Sequence, residues 1–430
     1  MPRAESRIPG GAFVKSAHAG LIENALTGSL ALYAIVCPVS QSAVYVSLSL
    51  AVAAALTLRV WAPDKFVFPE KFGLLLGIFS FFVAWQCLSL VVNGASSFVP
   101  PLLRAWNFVP LFALARLPVA RERKKTTAKI ALAALFISTS LVILIALYQD
   151  IAGLVMPFKH QLFSAGVIVG FFSHHLPAGG FFSTLAVLSV SLFLFWETSP
   201  WVKTALALIT LILLLGTVLT LSRTYFVSLA VTLPLILLRK KFGTAMLGIA
   251  AISLLVLLAA VSLPNVRNST LSILDLKKNP SNVERLYLWR VAEDMIRDHP
   301  VAGVGFKQWG ERVSEYTAVY SSEWKFSEAS FHHAHDVYLT VAAETGMVGL
   351  FFFLAFWLYL LFLAVRTASA FRSDSFVRAL NLGASYVLIN LLIGGVFEEN
   401  FGTIPIMHLV AFIFTVSFFV TAKEPGVASD

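Results

Sequence analysis

Long apolar runs alternate with short polar connections along almost the whole chain. A bilayer core of roughly 30 Å takes about 20 helical residues to cross. Runs of this kind, apolar around the full helical turn, predict membrane spans rather than amphipathic surface helices. In chain order the runs are 21–38, 43–60, 73–92, 104–118, 128–150, 179–196, 202–220, 222–238, 243–263, 346–366, 379–397 and 404–421. The fourth is the shortest and contains Pro110 and Arg116. The seventh and eighth part only at Leu221–Ser222–Arg223. The pattern predicts an all-α polytopic membrane protein with about 12 transmembrane helices. It divides into 1–263 (nine spans with short loops), 264–337 (one large polar segment with helical periodicity) and 338–430 (three spans and a short tail).

Composition sharpens this. Of 430 residues, 58% are hydrophobic and 13% charged, which excludes an ordinary soluble domain. The net charge of +9 is not a nucleic-acid signal, because the basic residues gather on alternate connections. They include Arg59 and Lys71, the run Arg121–Lys125, Arg239–Lys241, and Arg366 with Arg372 and Arg378. With twelve spans these all fall on one side, and the positive-inside rule makes that side cytoplasmic. Both termini are then cytoplasmic and the large segment lies outside. The first run has no convincing cleavage site and reads as an uncleaved span. Cys37 and Cys87 fall within predicted spans, so neither a disulfide nor a metal is expected from them.

Chemistry collects on the outer side. A short loop, 93–103, leads to Arg104. Within 151–178, Lys159, His160, His174 and His175 interrupt an apolar stretch too short to span, which fits a re-entrant or interfacial segment. Arg223 stands between two apolar runs with no acid nearby in sequence; it reads as an interfacial anchor or as an anion ligand facing a cavity. In the large segment, Ser281 and Glu284 match a capping box ahead of a helix over about 282–298. Three arginines ride on that helix. Arg290 has Asp294 four residues on and Arg297 has Glu293 four residues back, both ordinary surface pairs. Arg285 has Trp289 but no acid on its face, which leaves it available to an external anion. Gly303–Val304–Gly305 is a glycine turn without the context of a phosphate loop. Glu311, Tyr316, Tyr320, Glu323 and Trp324 form a polar-aromatic surface that suits carbohydrate or plain solvent.

The stretch Phe331–Gly349 closes the large segment, with His332, His333 and His335 at the boundary of span ten. Three chemistries compete for them. A metal site of His333, His335 and Asp336 lacks diagnostic spacing, so no metal and no cofactor are expected. A structural interface is the second. The third is general-base catalysis by His335, because imidazole titrates near neutral pH. Glu398 and Glu399 lie in the last outer turn, either to orient an imidazole or simply in water.

With these residues in place, the chain resembles the O-antigen ligase/polymerase superfamily. The resemblance rests on the topology, on Leu221–Ser222–Arg223, on Arg285…Trp289…Asp298–His299–Pro300…Gly303–Val304–Gly305–Phe306, and on His333–Ala334–His335–Asp336…Glu344–Thr345–Gly346–Met347–Val348–Gly349. The ligase branch has His, then Asn, Ser or Gln, then nine residues and Gly. Here the spacing from His335 to Gly346 fits, and Asp336 departs from the pattern. The resemblance implies a GT-C-type, metal-independent, inverting glycosyltransferase of the bacterial inner membrane, with its large loop periplasmic between spans nine and ten. It implies an undecaprenyl-pyrophosphate-linked polysaccharide donor and lipid A–core as acceptor. His335 would be the base, Arg223 and Arg285 would hold the pyrophosphate, and His333, Arg104 and Arg290 would contact substrate. A polymerase shares the donor chemistry. A transporter is the remaining alternative, although no half-to-half repeat is visible.

Overall fold

The computed structural model describes residues 10–61, 70–95, 97–114, 117, 119–153, 166–239, 264–273, 275, 279–325 and 332–421. The predicted span 243–263, Lys159 and His160 lie outside the described residues. Every regular element among the described residues is helical. Among the described residues, seven helices are long and apolar enough to cross a membrane, and 20–36, 223–237 and 404–419 are shorter apolar helices. The chain is a multi-pass membrane protein.

In order, α1 (Gly10–Val36), α2 (Gln41–Trp61) and α3 (Glu70–Val92) are followed by two short helices, α4 (Val99–Trp106) and α5 (Val109–Ala113). Then come α6 (Arg121–Ala152), α7 (His175–Phe195), α8 (Pro200–Leu219) and α9 (Arg223–Leu237). The polar segment supplies α10 (Pro264–Leu271), α11 (Pro280–Asp298) and α12 (Trp309–Tyr320). The chain ends in α13 (Val337–Ala370), α14 (Ser375–Gly394) and α15 (Ile404–Phe419).

The predicted span 104–118 is not one helix. Pro100 and Pro101 open α4, Pro110 opens α5, and the helix breaks at Asn107–Phe108 between them. Proline lacks the N–H that a continuing helix would need, so the run is cut into pieces. It still passes from one end of the bundle to the other. Arg104 donates to the carbonyl of Gly402 at 2.8 Å, whereas the carbonyl of Phe112 accepts from Arg59 in the last turn of α2 at 3.1 Å.

The bundle is built around α7 and α14, each apolar on all sides and largely buried. Glycine sets how closely they pack. A Cβ at Gly180 would lie 2.4 Å from the hydroxyl oxygen of Tyr225 and from Ile406 Cδ1. Ser183 and Thr184 return their hydroxyls to the Gly180 carbonyl, so burial leaves neither unsatisfied.

The polar segment is fastened to a break in α13. Gly346 has φ 68° and ψ −178°, a conformation open essentially to glycine alone. The break frees backbone groups that a continuous helix would pair internally, and inside a membrane protein those must find partners. They find them in the glycine turn. Val304 N–H donates to the Ala343 carbonyl at 2.8 Å, Gly305 N–H to Glu344 at 2.9 Å, and Met347 N–H to Pro300 at 2.8 Å. From α3, the Trp85 indole N–H donates to Thr345 at 2.8 Å and Asn93 to Gly303 at 3.0 Å. There is no room for a side chain, since a Cβ at Gly346 would meet the Val301 carbonyl oxygen at 2.0 Å and one at Gly303 would meet Glu344 at 2.3 Å. Two glycine motifs far apart in sequence are thus two halves of one backbone clasp.

Candidate active site

The clasp presents the histidine turn to the loop between α14 and α15. Asp336 caps α13, accepting from Leu339 N–H at 2.9 Å. Val337 N–H donates to the Gly395 carbonyl at 2.8 Å, which ties the start of α13 to the end of α14. Just before the cap, His335 has φ 53°, and its N–H donates to His333 Nδ1 at 3.1 Å. This tight turn stacks the two imidazoles edge to face, 4.4 Å between centroids. His332 is exposed and lies outside the pair.

The partner of the pair is Glu398. Its Oε2 lies 3.4 Å from His335 Nδ1 and 3.6 Å from Arg285 Nη2, and its Oε1 lies 3.9 Å from His333 Nε2. Glu399 faces the other way, 2.7 Å from Lys307 Nζ and 3.9 Å from His333 Nε2. Glu398 and Glu399 are only 5% and 7% exposed, so they do not sit in a solvated turn. Burial pushes the Glu398 carboxyl up, but the hydrogen bond and charge of His335, with His333 and Arg285, outweigh it and hold the group at about 2. For Glu399 burial is likewise outweighed, chiefly by Lys307 and His333, and its pKa is lowered. Burial lowers that of His333, against the pull of Glu399 and Glu398. Asp336 is raised to about 6 by burial, against its two backbone hydrogen bonds.

Arg223 and Arg285 meet across a cavity of about 110 Å³, lined also by Asn282, Trp289, Thr224 and Phe397. Arg223 opens α9 just after Leu221, whose φ of 53° makes the turn between α8 and α9. Its Nη1 donates to the Ser272 hydroxyl at 3.1 Å. Arg285 Nε and the Trp289 indole N–H are buried with no hydrogen-bond partner. The polar lining is therefore rich in donors, with two of them unmet, which is what a multiply charged anion requires. His174 and His175 lie close enough to feel the charge of Glu398, so part of 151–178 does reach the site.

Other expectations change. The helix cap is Asn279, not Ser281: Asn279 accepts from Asn282 N–H at 3.4 Å, and Pro280 takes the first helical position. Arg285 does have an acid, Glu398, supplied from a distant loop. Arg290 does not pair with Asp294 and does not join Arg285. It is exposed, with its guanidinium 5.4 Å from the Tyr287 ring. Asp294 is held instead by Arg297 at 2.8 Å and by the Tyr320 hydroxyl at 2.6 Å, so the expected Arg297–Glu293 pair gives way too. Arg104 is not in the arginine cavity. It lies over Phe306, 5.3 Å from the ring centroid, and lines a second cavity on the Glu399 side. Sequence reasoning missed Lys307 and Asn282. Lys307 carries a signal only in hindsight, as a polar residue directly after the Gly303–Phe306 motif.

His333, His335 and Glu398 each offer a ligand atom within 4.8 Å of the others, so they could hold a metal ion. Arg285 stands 3.6 Å from the same carboxylate and competes for it. The donor set fits a cation-held carboxylate as well as a metal centre.

Residues 206–354 match the family model O-antigen ligase, which assigns this stretch, about a third of the chain, to the O-antigen ligase superfamily. Arg223, Arg285, the glycine turn, His333, His335 and Gly346 all lie inside the match; Arg104, Glu398 and Glu399 lie outside it. No curated protein matches the chain.

Proposed function

From that superfamily assignment, we propose that the protein is an O-antigen ligase, a GT-C-type enzyme of the bacterial inner membrane. It transfers polysaccharide from undecaprenyl pyrophosphate to a terminal sugar of lipid A–core at the periplasmic face. Both termini are cytoplasmic in this reading. The observation that carries it is the chain His335–Glu398–Arg285, which ties a base to a phosphate-binding cation through one buried carboxylate.

Glu398 accepts from His335 Nδ1–H, which fixes the tautomer and leaves Nε2 to take the proton. The acceptor hydroxyl gives that proton to His335 as its oxygen attacks the anomeric carbon of the donor. The bond from that carbon to the phosphate oxygen breaks, configuration inverts, and undecaprenyl pyrophosphate leaves. Arg223 and Arg285 stabilise the charge that develops on it. The imidazolium that forms rests against Glu398, which is ionised throughout the physiological range. No step requires a metal.

The test uses the purified protein in liposomes with a lipid-pyrophosphate-linked glycan. One reaction contains lipid A–core and another only more donor, each with and without a chelator. Glycan on lipid A–core, formed equally with chelator present, is the expected result. Lengthened donor chains instead would identify a polymerase on the same site. Activity lost to the chelator and restored by one divalent ion would make the His333–His335–Glu398 cluster a metal centre.

A further inference from the structure

The turn 397–399 separates two cavities whose polar linings differ: one has two arginines and no carboxyl, the other two carboxyls and one arginine. Phe397 faces the arginine cavity, Glu399 faces the second, and Glu398 stands between them with the histidines. The second cavity has about 70 Å³ of space. Its polar lining comprises Gln86, Arg104, Glu344, Thr345 and Glu399, over walls that include Phe82, Phe353 and Trp357. Arg104 is engaged by the Gly402 carbonyl. Glu344 is 2% exposed, and its Oε1 has no hydrogen-bond partner.

A buried carboxyl oxygen without a donor is costly unless a ligand supplies one. Here Arg104 is engaged by a carbonyl and Lys307 by Glu399 at 2.7 Å, and Glu344 adds a second carboxyl, so this cavity suits the donor's leaving group less well than the arginine cavity does. Hydroxyls are the complementary chemistry, and aromatic walls suit the apolar faces of a sugar ring. The rim is close to the base: Glu399 Oε2 lies 3.9 Å from His333 Nε2, and the His333 and His335 rings are 4.4 Å apart. We propose that the second cavity is the acceptor subsite, in which Glu344 accepts a hydrogen bond from a hydroxyl of the acceptor sugar while Glu399 positions it beside the histidines. This rests on the glycosyltransferase reading above and adds where the second substrate binds.

Binding can be tested apart from transfer. The full chain, purified in detergent, is titrated calorimetrically with deacylated lipid A–core oligosaccharide and, separately, with inorganic pyrophosphate. Glu344→Met removes the acceptor oxygen at similar volume and should weaken oligosaccharide binding about tenfold or more, with pyrophosphate binding unchanged. Val341→Phe, which narrows the same cavity, should act alike and decides the matter if the first variant misfolds. The proposal is overturned if neither variant affects the oligosaccharide, if pyrophosphate binding falls in step, or if the wild-type protein binds no oligosaccharide. Should pyrophosphate fail to bind while both variants lose the oligosaccharide, the donor assignment fails and the acceptor subsite stands.

Discussion

At one end of the bundle Asp374 lies 2.7 Å from Lys125 and 3.1 Å from Arg121, and it also caps α14 by accepting from Val377 N–H. At the other end Glu398 gathers His335, His333 and Arg285. Both are carboxylates among several cations, but their surroundings differ. By side chain, Arg121 is 41% and Asp374 13% exposed, with Lys125 at 17%, whereas Arg285 is 15% and Glu398 6% exposed, so the Asp374 carboxylate and its Arg121 partner keep the greater contact with water. Charges near water are cheap to hold, so the Asp374 cluster needs no explanation beyond fastening α6 to the start of α14. Charges taken out of water cost more than their pairing returns. The Glu398 cluster is therefore a poor way to stabilise a fold and is better explained by chemistry.

The sharpest way to break this comparison is to remove the proposed base. His335→Ala should lower transfer by about 10²–10⁴-fold, the usual contribution of a positioned general base, with the thermal transition little changed. Near-wild-type transfer would place the histidine end in the same structural category as the Asp374 end.

Asp336 tests what burial does to an acid at this end. Its pKa is raised from 3.8 to about 6, so the fold favours the protonated form. The stability this gives is fully present below pH 3.8 and lost as pH rises through 6. The loss is about 3 kcal/mol at most, from the size of the shift. Asp336→Asn keeps a capping oxygen but does not titrate. Denaturation midpoints of the variant should be flatter than the wild type across that window, and more stable above it. A parallel pH dependence in both proteins would remove Asp336 as the source.

Next in size is the contrast between two arginines on α11. Arg285→Ala should raise the donor KM about tenfold or more, the value of a hydrogen bond to a charged group. Arg290→Ala should change it less than about twofold, because Arg290 lies over Tyr287 in solvent. Steady-state kinetics at fixed acceptor decide it, and equal effects would mean that the arginine cavity is not the donor site.

Much of this was legible in the chain, for identifiable reasons. Apolar runs of spanning length report membrane helices directly, so the all-helical bundle followed from them. So did the parting of α8 from α9 at Leu221. The broken run α4–α5 carried its prolines in plain view. Arg223 stood out because no acid sat near it in sequence, and Arg285 because none lay on its own helical face. The same logic failed for Arg290, since an acid four residues away is an opportunity and not a contact; Tyr320 and Arg297 took Asp294 first. Glu398 and Glu399 read equally well as a wet turn, because burial of a loop depends on what packs over it. The clasp at Gly346 was hidden for the same reason. Its hydrogen bonds join main-chain groups some forty residues apart, and backbone pairing leaves no mark on side-chain pattern beyond the glycines themselves.

The smallest expected effect sharpens the comparison from the other side. Arg121→Ala removes one partner of Asp374 and leaves Lys125 at 2.7 Å. Exposed pairs contribute about 0–1 kcal/mol, so the thermal transition should move by no more than that, and transfer should not change. Salt should diminish even this effect, since exposed charges are screened. A large loss of transfer would mean that the Asp374 end communicates with the histidine end through α14, which runs between them from Asp374 to Gly395 and is pinned to the histidine turn by Val337 N–H. Unchanged transfer with a salt-sensitive shift in stability would leave the two clusters as independent solutions, one made by water and the other by what the site binds.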